Sequence, residues 1–319
     1  MAKRKKNCRP LNGILLIDKP RGISSNQALQ RAKRIMQACK AGHTGSLDPI
    51  ATGLLPLCFG EATKVSQFML DADKHYWVRI RLGEETETYD SEGEVIAHKP
   101  VTTTRKQLEK ALQSFEGPIT QLPPMYSAIK QGGKALYKLA REGIEVEREP
   151  RQVTIHSLEL QEFDGQELEL DIVCSKGTYI RSIAHDLGQM LGCGGHVIEL
   201  RRLGVGDFKI EEALTMEQIE ALDSEQACQD QLLPVDEALL GLPDVTLTSL
   251  ATHYLLQGQP VTVRHGEEPG LVRLYNEDNT FLGIGEIMDD GRVAPKRLMI
   301  APEAFLGSQQ APLRSAGKA

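Results

Sequence analysis

GHTGSLDPIATGLLPLCFGEATK, residues Gly42–Lys64, is the stretch on which the reading of this chain turns. Within it lie His43, the pairs Thr44-Gly45 and Thr52-Gly53, and the dipeptide Asp48-Pro49. A proline pushes the residue before it toward extended geometry. Asp48 is therefore expected on a stiff, non-helical turn, with its carboxylate aimed. Gly42, Gly45 and Gly53 allow positive φ or a close approach of backbone to a ligand. Spacing alone leaves two readings open. One is a rigid loop that presents a single carboxylate in a pocket. The other is an Asx-type turn in which Asp48 bonds its own backbone.

The chain has 319 residues, room for one large domain or two with a substantial core. No apolar run approaches the ~20 residues of a membrane span. The basic start MAKRKKNCRP is followed by only four consecutive apolar residues, Ile14–Ile17, too few for a secretory core. A cytoplasmic protein is expected. The six cysteines are scattered without a CxxC, so disulfides are not expected, no zinc site is implied, and buried inert thiols are the simpler reading. Net charge is −7, but residues 1–210 carry 30 Lys and Arg against 26 Asp and Glu, whereas residues 211–250 carry ten acidic residues and no Lys or Arg. The acidity is concentrated in one segment, and a basic surface elsewhere stays open to nucleic acid.

Residues 1–10 read as a disordered basic arm. Ser24 or Ser25 can cap a helix whose apolar face is Ala28, Leu29, Ala32, Ile35 and Met36. Tyr76–Leu82 alternates as a strand, with Tyr76, Val78, Ile80 and Leu82 on one face and Trp77, Arg79 and Arg81 on the other. Residues 104–115 suggest a helix. Val153–Leu160 and Glu167–Cys174 read as strands joined by a turn at Asp164-Gly165, Thr178–Leu191 as a helix, and His196–Leu200 as a short strand. This mixture favours an α+β fold over a parallel doubly wound sheet. Between Pro123 and Arg151, Lys130, Lys134, Lys138 and Arg141 interleave with Tyr126 and Tyr137, a pattern that suits a nucleic-acid clamp. An ordinary surface helical hairpin fits equally well. The acidic segment 211–250 reads as a linker plus an amphipathic helix, and Val245 to about Ile300 as short strands with turns.

GHTGSLDPIATGLLP resembles the catalytic motif of the TruB family of tRNA pseudouridine synthases. NGILLIDKPRGISSN (Asn12–Asn26) resembles that family's N-terminal motif, KGTYIRSIAHDLG (Lys176–Gly188) its arginine-bearing motif, and HVIELRRLGVGDF (His196–Phe208) follows in the family's order. The resemblance implies a pseudouridine-synthase catalytic domain over 11–240 with a largely antiparallel mixed sheet. It further implies a helical RNA-clamp insertion at 123–151, a small β-rich, PUA-like RNA-binding domain at 245–305 and a disordered tail at 306–319. Ser46 stands where many members have Thr or Ala.

The same resemblance implies isomerisation of uridine 55 in the TΨC loop of tRNA by a stand-alone enzyme that needs neither cofactor nor metal; a monomer is the default expectation. Asp48 matches the family's catalytic Asp, Arg181 the cation paired with it, and Tyr76 the aromatic that stacks on uracil. A carboxylate buried without a partner would tend to neutralise, so such a cation is expected on physical grounds as well. Tyr179 and Leu200 match pocket-lining residues, and His43 the wedge that fills the place of a flipped base. Lys64, Lys19, Lys130 and Arg202 are candidate phosphate contacts, and Asp90 completes the substrate-binding set. Taken singly, Tyr76 and Leu200 would pass for core residues, Arg181 for a surface ion pair, and His43 for a hydrogen-bonded structural residue.

Three other readings compete. A metal-dependent hydrolase using His43, Asp48 and Asp90 lacks an HxxxH or a second carboxylate near Asp48. A phosphate cradle at Gly42–Gly53 lacks GxxxxGK[ST]. An RNA-binding or tRNA-folding protein that works without catalysis would use the same surfaces.

Overall fold

A computed structural model describes residues 8–263 and 268–299. Most of the arm expected at 1–10, and the tail expected at 306–319, lie outside the described residues. The chain divides into two compact units, one of residues 1–60 and 66–232, the other of residues 61–65 and 233–319.

The first unit is built on a ten-stranded mixed sheet. Its centre is the strand Lys74–Leu82, paired antiparallel with Glu167–Cys174 on one side and Gly195–Val205 on the other. The alternation read from sequence is realised there. Tyr76, Val78, Ile80 and Leu82 are buried, while Trp77, Arg79 and Arg81 stay partly exposed. The open face is laced by cross-strand pairs: Arg79 with Glu169 and Glu199, and Arg81 with Glu167. The helix Ser25–Ile35 starts at Ser24 in a capping box with Gln27, and Thr104 caps Arg105–Gln113 in the same way with Gln107. Ala28, Leu29, Ala32 and Met36 bury the inner face of the first of these helices against the sheet.

Thr52–Phe59, within the opening stretch, is a nearly fully buried strand despite Pro56. One edge pairs along its length with Gly13–Lys19. The other edge is shared. Ala41–His43 covers Leu57 to Phe59, and Gly195–Val205 meets only Thr52 and Gly53. Pro56 falls in the gap between these two neighbours, where its missing N–H is not needed. The carbonyls in that gap are taken by Thr44 N–H, which reaches Pro56 O at 3.2 Å, and by Arg202 Nε, which reaches Leu54 O at 2.7 Å.

Several elements differ from the sequence reading. The 123–151 segment is a two-residue β-hairpin, Lys130–Gln131 with Lys134–Ala135 around Gly132-Gly133, followed by one helix, Leu136–Arg141, in place of a helical hairpin. The acidic segment holds two short capped helices, Met216–Glu220 and Glu225–Asp230, instead of a linker and one amphipathic helix, because Thr215 and Ser224 each start a new helix. Disulfides were not expected, yet Cys8 and Cys39 are bridged, with Cα atoms 4.9 Å apart. The physical reason is a parallel bridge between Arg9 and Ala38, which lays the N-terminal segment beside the chain that leads into Ala41–His43. Cys58, Cys174, Cys193 and Cys228 are buried thiols.

The second unit carries a five-stranded sheet in the order Asp244–Leu247, Gly270–Asn276, Phe281–Ile287, Arg292–Leu298, Val261–Thr262. Its own core includes Val245, Leu247, Val272, Leu274, Leu282 and Val293. The β-rich character read from sequence is present, with one addition, the helix Ser249–Leu256 capped by Thr248. Among the described residues no helix is long and apolar enough to cross a membrane.

Backbone also passes very close to Gly53, which has φ +103°; a Cβ there would lie 2.3 Å from the Arg202 carbonyl oxygen. Gly53→Ala is expected to destabilise the protein by roughly 1–3 kcal/mol, seen as a fall of several degrees in Tm. An unchanged Tm would contradict this packing.

Candidate active site

Asp48 sits in the non-helical turn between Ala41–His43 and Thr52–Phe59. Its Oδ2 lies 2.8 Å from Nε of Arg181, in the first turn of the helix Ile180–Met190. The Asx-turn reading thus gives way to a carboxylate paired with a cation. Asp90 Oδ2 is 3.5 Å from the same nitrogen. The remaining Arg181 donors are also used: one terminal nitrogen donates to Thr88 O at 2.8 Å and the other to Tyr126 O at 2.7 Å. The Arg181 side chain is only 4% exposed. Asp90 is oriented in turn by Thr88 Oγ1 and the Glu92 N–H, both donating to its Oδ1.

Two cavities meet at this pair. The smaller, of about 310 Å³, is lined by Asp48, Tyr76, Tyr179, Arg181, Leu200 and Arg202, among others. The larger, of about 790 Å³, is lined by His43, Asp48, Asp90, Tyr126, Tyr137, Arg141 and Arg181, among others. The shared wall is Ser46, Leu47, Asp48, Ser127, Ala128 and Arg181. The Asp48 side chain is 41% exposed and lines both recesses. Desolvation there pushes its pKa up, opposed first by the positive charge of Arg181 and reinforced by the negative charge of Asp90.

The walls are held as firmly as the charges. Burial raises the pKa of the Tyr76 phenol, and Arg202 beside it pulls the other way. Gln121, itself buried, clamps Tyr179 by accepting from its N–H at 2.7 Å and donating to its carbonyl at 3.0 Å. Arg151 stacks over the Tyr179 ring, 5.6 Å from its centroid. His43 is desolvated and close to Arg202, which lowers its pKa and keeps its ring neutral at pH 7.

Among the sequence candidates, Asp48, Tyr76, Arg181, Tyr179, Leu200 and Arg202 are brought together in the smaller cavity, and His43 and Asp90 in the larger. Lys130 stands apart, lining a third cavity of about 820 Å³ with Arg148, Arg151 and Lys176. Lys64 belongs to the second unit, where it pairs with Glu61 and donates to Leu298 O at 2.8 Å. Lys19 and Arg202 are corrections to the expected phosphate contacts. Both are fully buried with their cationic heads on carbonyl oxygens, so neither offers a surface charge to a phosphate. Desolvation lowers Lys19 to about 8, with Asp48 the strongest opposing charge. Thr88 and Tyr126 act through backbone carbonyls, and Ser127 lies on the shared wall. No residue-type signal in the sequence marks the first two. Among the described residues no group of three His, Cys, Asp or Glu side chains is placed to hold a metal ion.

A lone carboxylate beside a guanidinium, at the neck of an aromatic-walled recess, can act as a nucleophile or base on a flat heterocycle. Residues 33–180 match the family model "TruB family pseudouridylate synthase (N terminal domain)", 181–240 match "tRNA pseudouridylate synthase B C-terminal domain", and 243–299 match "Pseudouridine synthase II TruB, C-terminal". The chain is 54% identical to tRNA pseudouridine synthase B of Methylobacillus flagellatus over 292 residues, 91% of this chain and 96% of that one. It is 51% identical to tRNA pseudouridine synthase B of Aliivibrio salmonicida over 311 residues, 94% and 97% of the two chains. The crystal structure of the archaeal box H/ACA sRNP Nop10-Cbf5 complex shares the fold, with a TM-score of 0.70 at 24% identity over 95% of this chain and 91% of that one.

The raised pKa of Asp48 has a consequence for stability. The folded state holds that proton more tightly than the unfolded state. Its carboxylate therefore detracts from stability as pH rises from the unfolded value, about 4, through the raised folded value, and fully above it. Asp48→Asn is expected to melt at or above the wild-type temperature at neutral pH, with the difference vanishing below about pH 4. A lower Tm for Asp48→Asn at neutral pH would contradict this.

Proposed function

The chain belongs to the TruB family of pseudouridylate synthases, and from that premise we propose that it converts a uridine of tRNA to pseudouridine with Asp48 as the catalytic carboxylate. The reading rests above all on the Asp48–Arg181 pair, 2.8 Å apart at the neck of a recess walled by Tyr76, Tyr179 and Leu200. The target is the uridine of the TΨC loop, position 55. The enzyme works as a monomer in the cytoplasm, and the 123–151 segment grips the RNA directly.

The target base leaves its stack, at a few kcal/mol, and enters the smaller recess. Neutral His43, which lines the larger cavity, fills the vacated position. Tyr76 offers its ring face to uracil, with stacking of about 1–3 kcal/mol. With Asp48 at the neck, the N1–C1′ bond breaks, the detached base turns within the recess, and a C5–C1′ bond forms. The C5 proton is then lost and N1 regains one. No electron is gained or lost, so no redox cofactor is required. Arg181, which keeps its proton, favours the charged form of Asp48 that desolvation alone would neutralise. Phosphates are taken by Lys130, Arg148, Arg151 and Lys176, which line the third cavity.

A second reading, an RNA-binding protein that works without turnover, draws on that same basic cavity, since it does not contain Asp48. One experiment separates the two. Tritium release from tRNA labelled at uridine C5 should be robust for wild type and lost in Asp48→Asn, whose tRNA affinity should stay within about threefold because phosphate contacts supply most of the binding. Substantial release by Asp48→Asn would remove the carboxylate from the mechanism. Tight binding without release by wild type would leave the non-catalytic reading. Arg181→Lys, which cannot reproduce the planar array of donors, is expected to slow release at least a hundredfold with little change in affinity. Near-normal release by this variant would show that the fixed geometry of Arg181 is dispensable.

A further inference from the structure

Ser127 lies in the turn before the Lys130–Gln131 hairpin and is 4% exposed. Its backbone is pinned on both sides. Its N–H donates to Met125 O at 2.9 Å, and its carbonyl accepts from Tyr137 N–H, in the first turn of the helix Leu136–Arg141, at 3.0 Å. The preceding residue, Tyr126, is held by Arg181 through its carbonyl. The hydroxyl is thus presented by a fixed turn, yet it has no hydrogen-bond partner among the described residues. The Tyr179 phenol comes close enough to feel it, short of a formed hydrogen bond. A buried hydroxyl left unsatisfied costs about 1–3 kcal/mol, and such groups call for an explanation.

Its position supplies one. Ser127 is on the wall shared by the two cavities, with Asp48 and Arg181. If Asp48 reacts at the glycosidic bond, the base fills the smaller cavity and the sugar occupies the neck. This step rests on the isomerase reading above. The ribose groups one bond from the anomeric carbon are the ring oxygen and the carbon that bears the 2′-hydroxyl. Of the two oxygens there, only the hydroxyl both donates and accepts, and it is the group that distinguishes RNA from DNA. Asp48 and Arg181 are already committed to each other at this neck, whereas Ser127 is not. We propose that the Ser127 hydroxyl is a specificity-determining contact that recognises the ribose 2′-hydroxyl of the nucleotide whose base enters the smaller cavity. The fixed turn pre-organises it for that bond, so little ordering is needed on binding.

The test is a double-mutant cycle between protein and RNA. Equilibrium affinity is measured for a T-arm hairpin with either uridine or 2′-deoxyuridine at the target position, using wild type and Ser127→Ala. The expected result is a loss of about tenfold for Ser127→Ala on the ribose RNA, of the order of one hydrogen bond, and less than twofold on the deoxy RNA. Ser127→Thr, which keeps the hydroxyl, should retain discrimination. Equal losses on both RNAs, or none on either, would overturn the proposal. Should Ser127→Ala fail to fold, Ser127→Cys, of nearly the same shape with a weaker donor, carries the same comparison. Tritium release by wild type from the all-ribose RNA is measured in parallel. Its absence would sink the isomerase reading, whereas release with equal losses would sink the ribose contact alone.

Discussion

One buried guanidinium joins four separate stretches of this chain. Arg181 reaches Asp48 in the Gly42–Lys64 stretch, Asp90 and the Thr88 carbonyl in a second loop, and the Tyr126 carbonyl in the 123–151 segment, from its own place on the helix Ile180–Met190. Breaking a buried pair by removing one partner typically costs 3–5 kcal/mol because the other charge is stranded. Here two carboxylates would be stranded at once, both at the edge of the same recess. The arrangement therefore serves geometry and chemistry together. It holds the loops in register around the cavities, and its charge opposes the desolvation that pushes the Asp48 carboxylate toward its neutral form.

Arg202 does the same for the backbone. The strand Thr52–Phe59 changes neighbours partway along one edge, and the carbonyls exposed by that change need donors. Arg202 supplies Leu54 with one, and its second bond to the Gly45 carbonyl at 3.2 Å ties down the loop that leads to Asp48. Gly53 must be glycine because the Arg202 backbone passes within contact distance of where a side chain would begin. The loop read from sequence as stiff is stiff for these reasons as well as for Pro49.

Much of this was legible beforehand, and the gaps have physical causes. The family resemblance singled out Asp48 and Arg181, alternation placed Tyr76 on the buried face, and burial of a lone carboxylate called for a cation without saying which one. Thr52–Phe59 was not read as a strand, because a fully buried strand has no alternation and Pro56 argues against one. Lys19 and Arg202 were read as phosphate contacts, since a cation that satisfies backbone carbonyls is indistinguishable by residue type from one that meets a phosphate. Backbone acceptors such as Thr88 O leave no mark in residue identity. The Cys8–Cys39 bridge depends on a strand-like pairing of Arg9 with Ala38 that 31 residues of separation conceal.

The most direct test of this account is a carboxyl-carbon NMR titration of Asp48, assigned by its loss in Asp48→Asn, in wild type and in Arg181→Met. The account predicts a wild-type midpoint above the ordinary aspartate value of about 4, and a further rise when Arg181 is removed, since the main opposing charge is then gone. A wild-type midpoint at or below about 4 would contradict the claim that desolvation dominates at this carboxylate, and one that stays put or falls in Arg181→Met would contradict the claim that this guanidinium is the main charge opposing it.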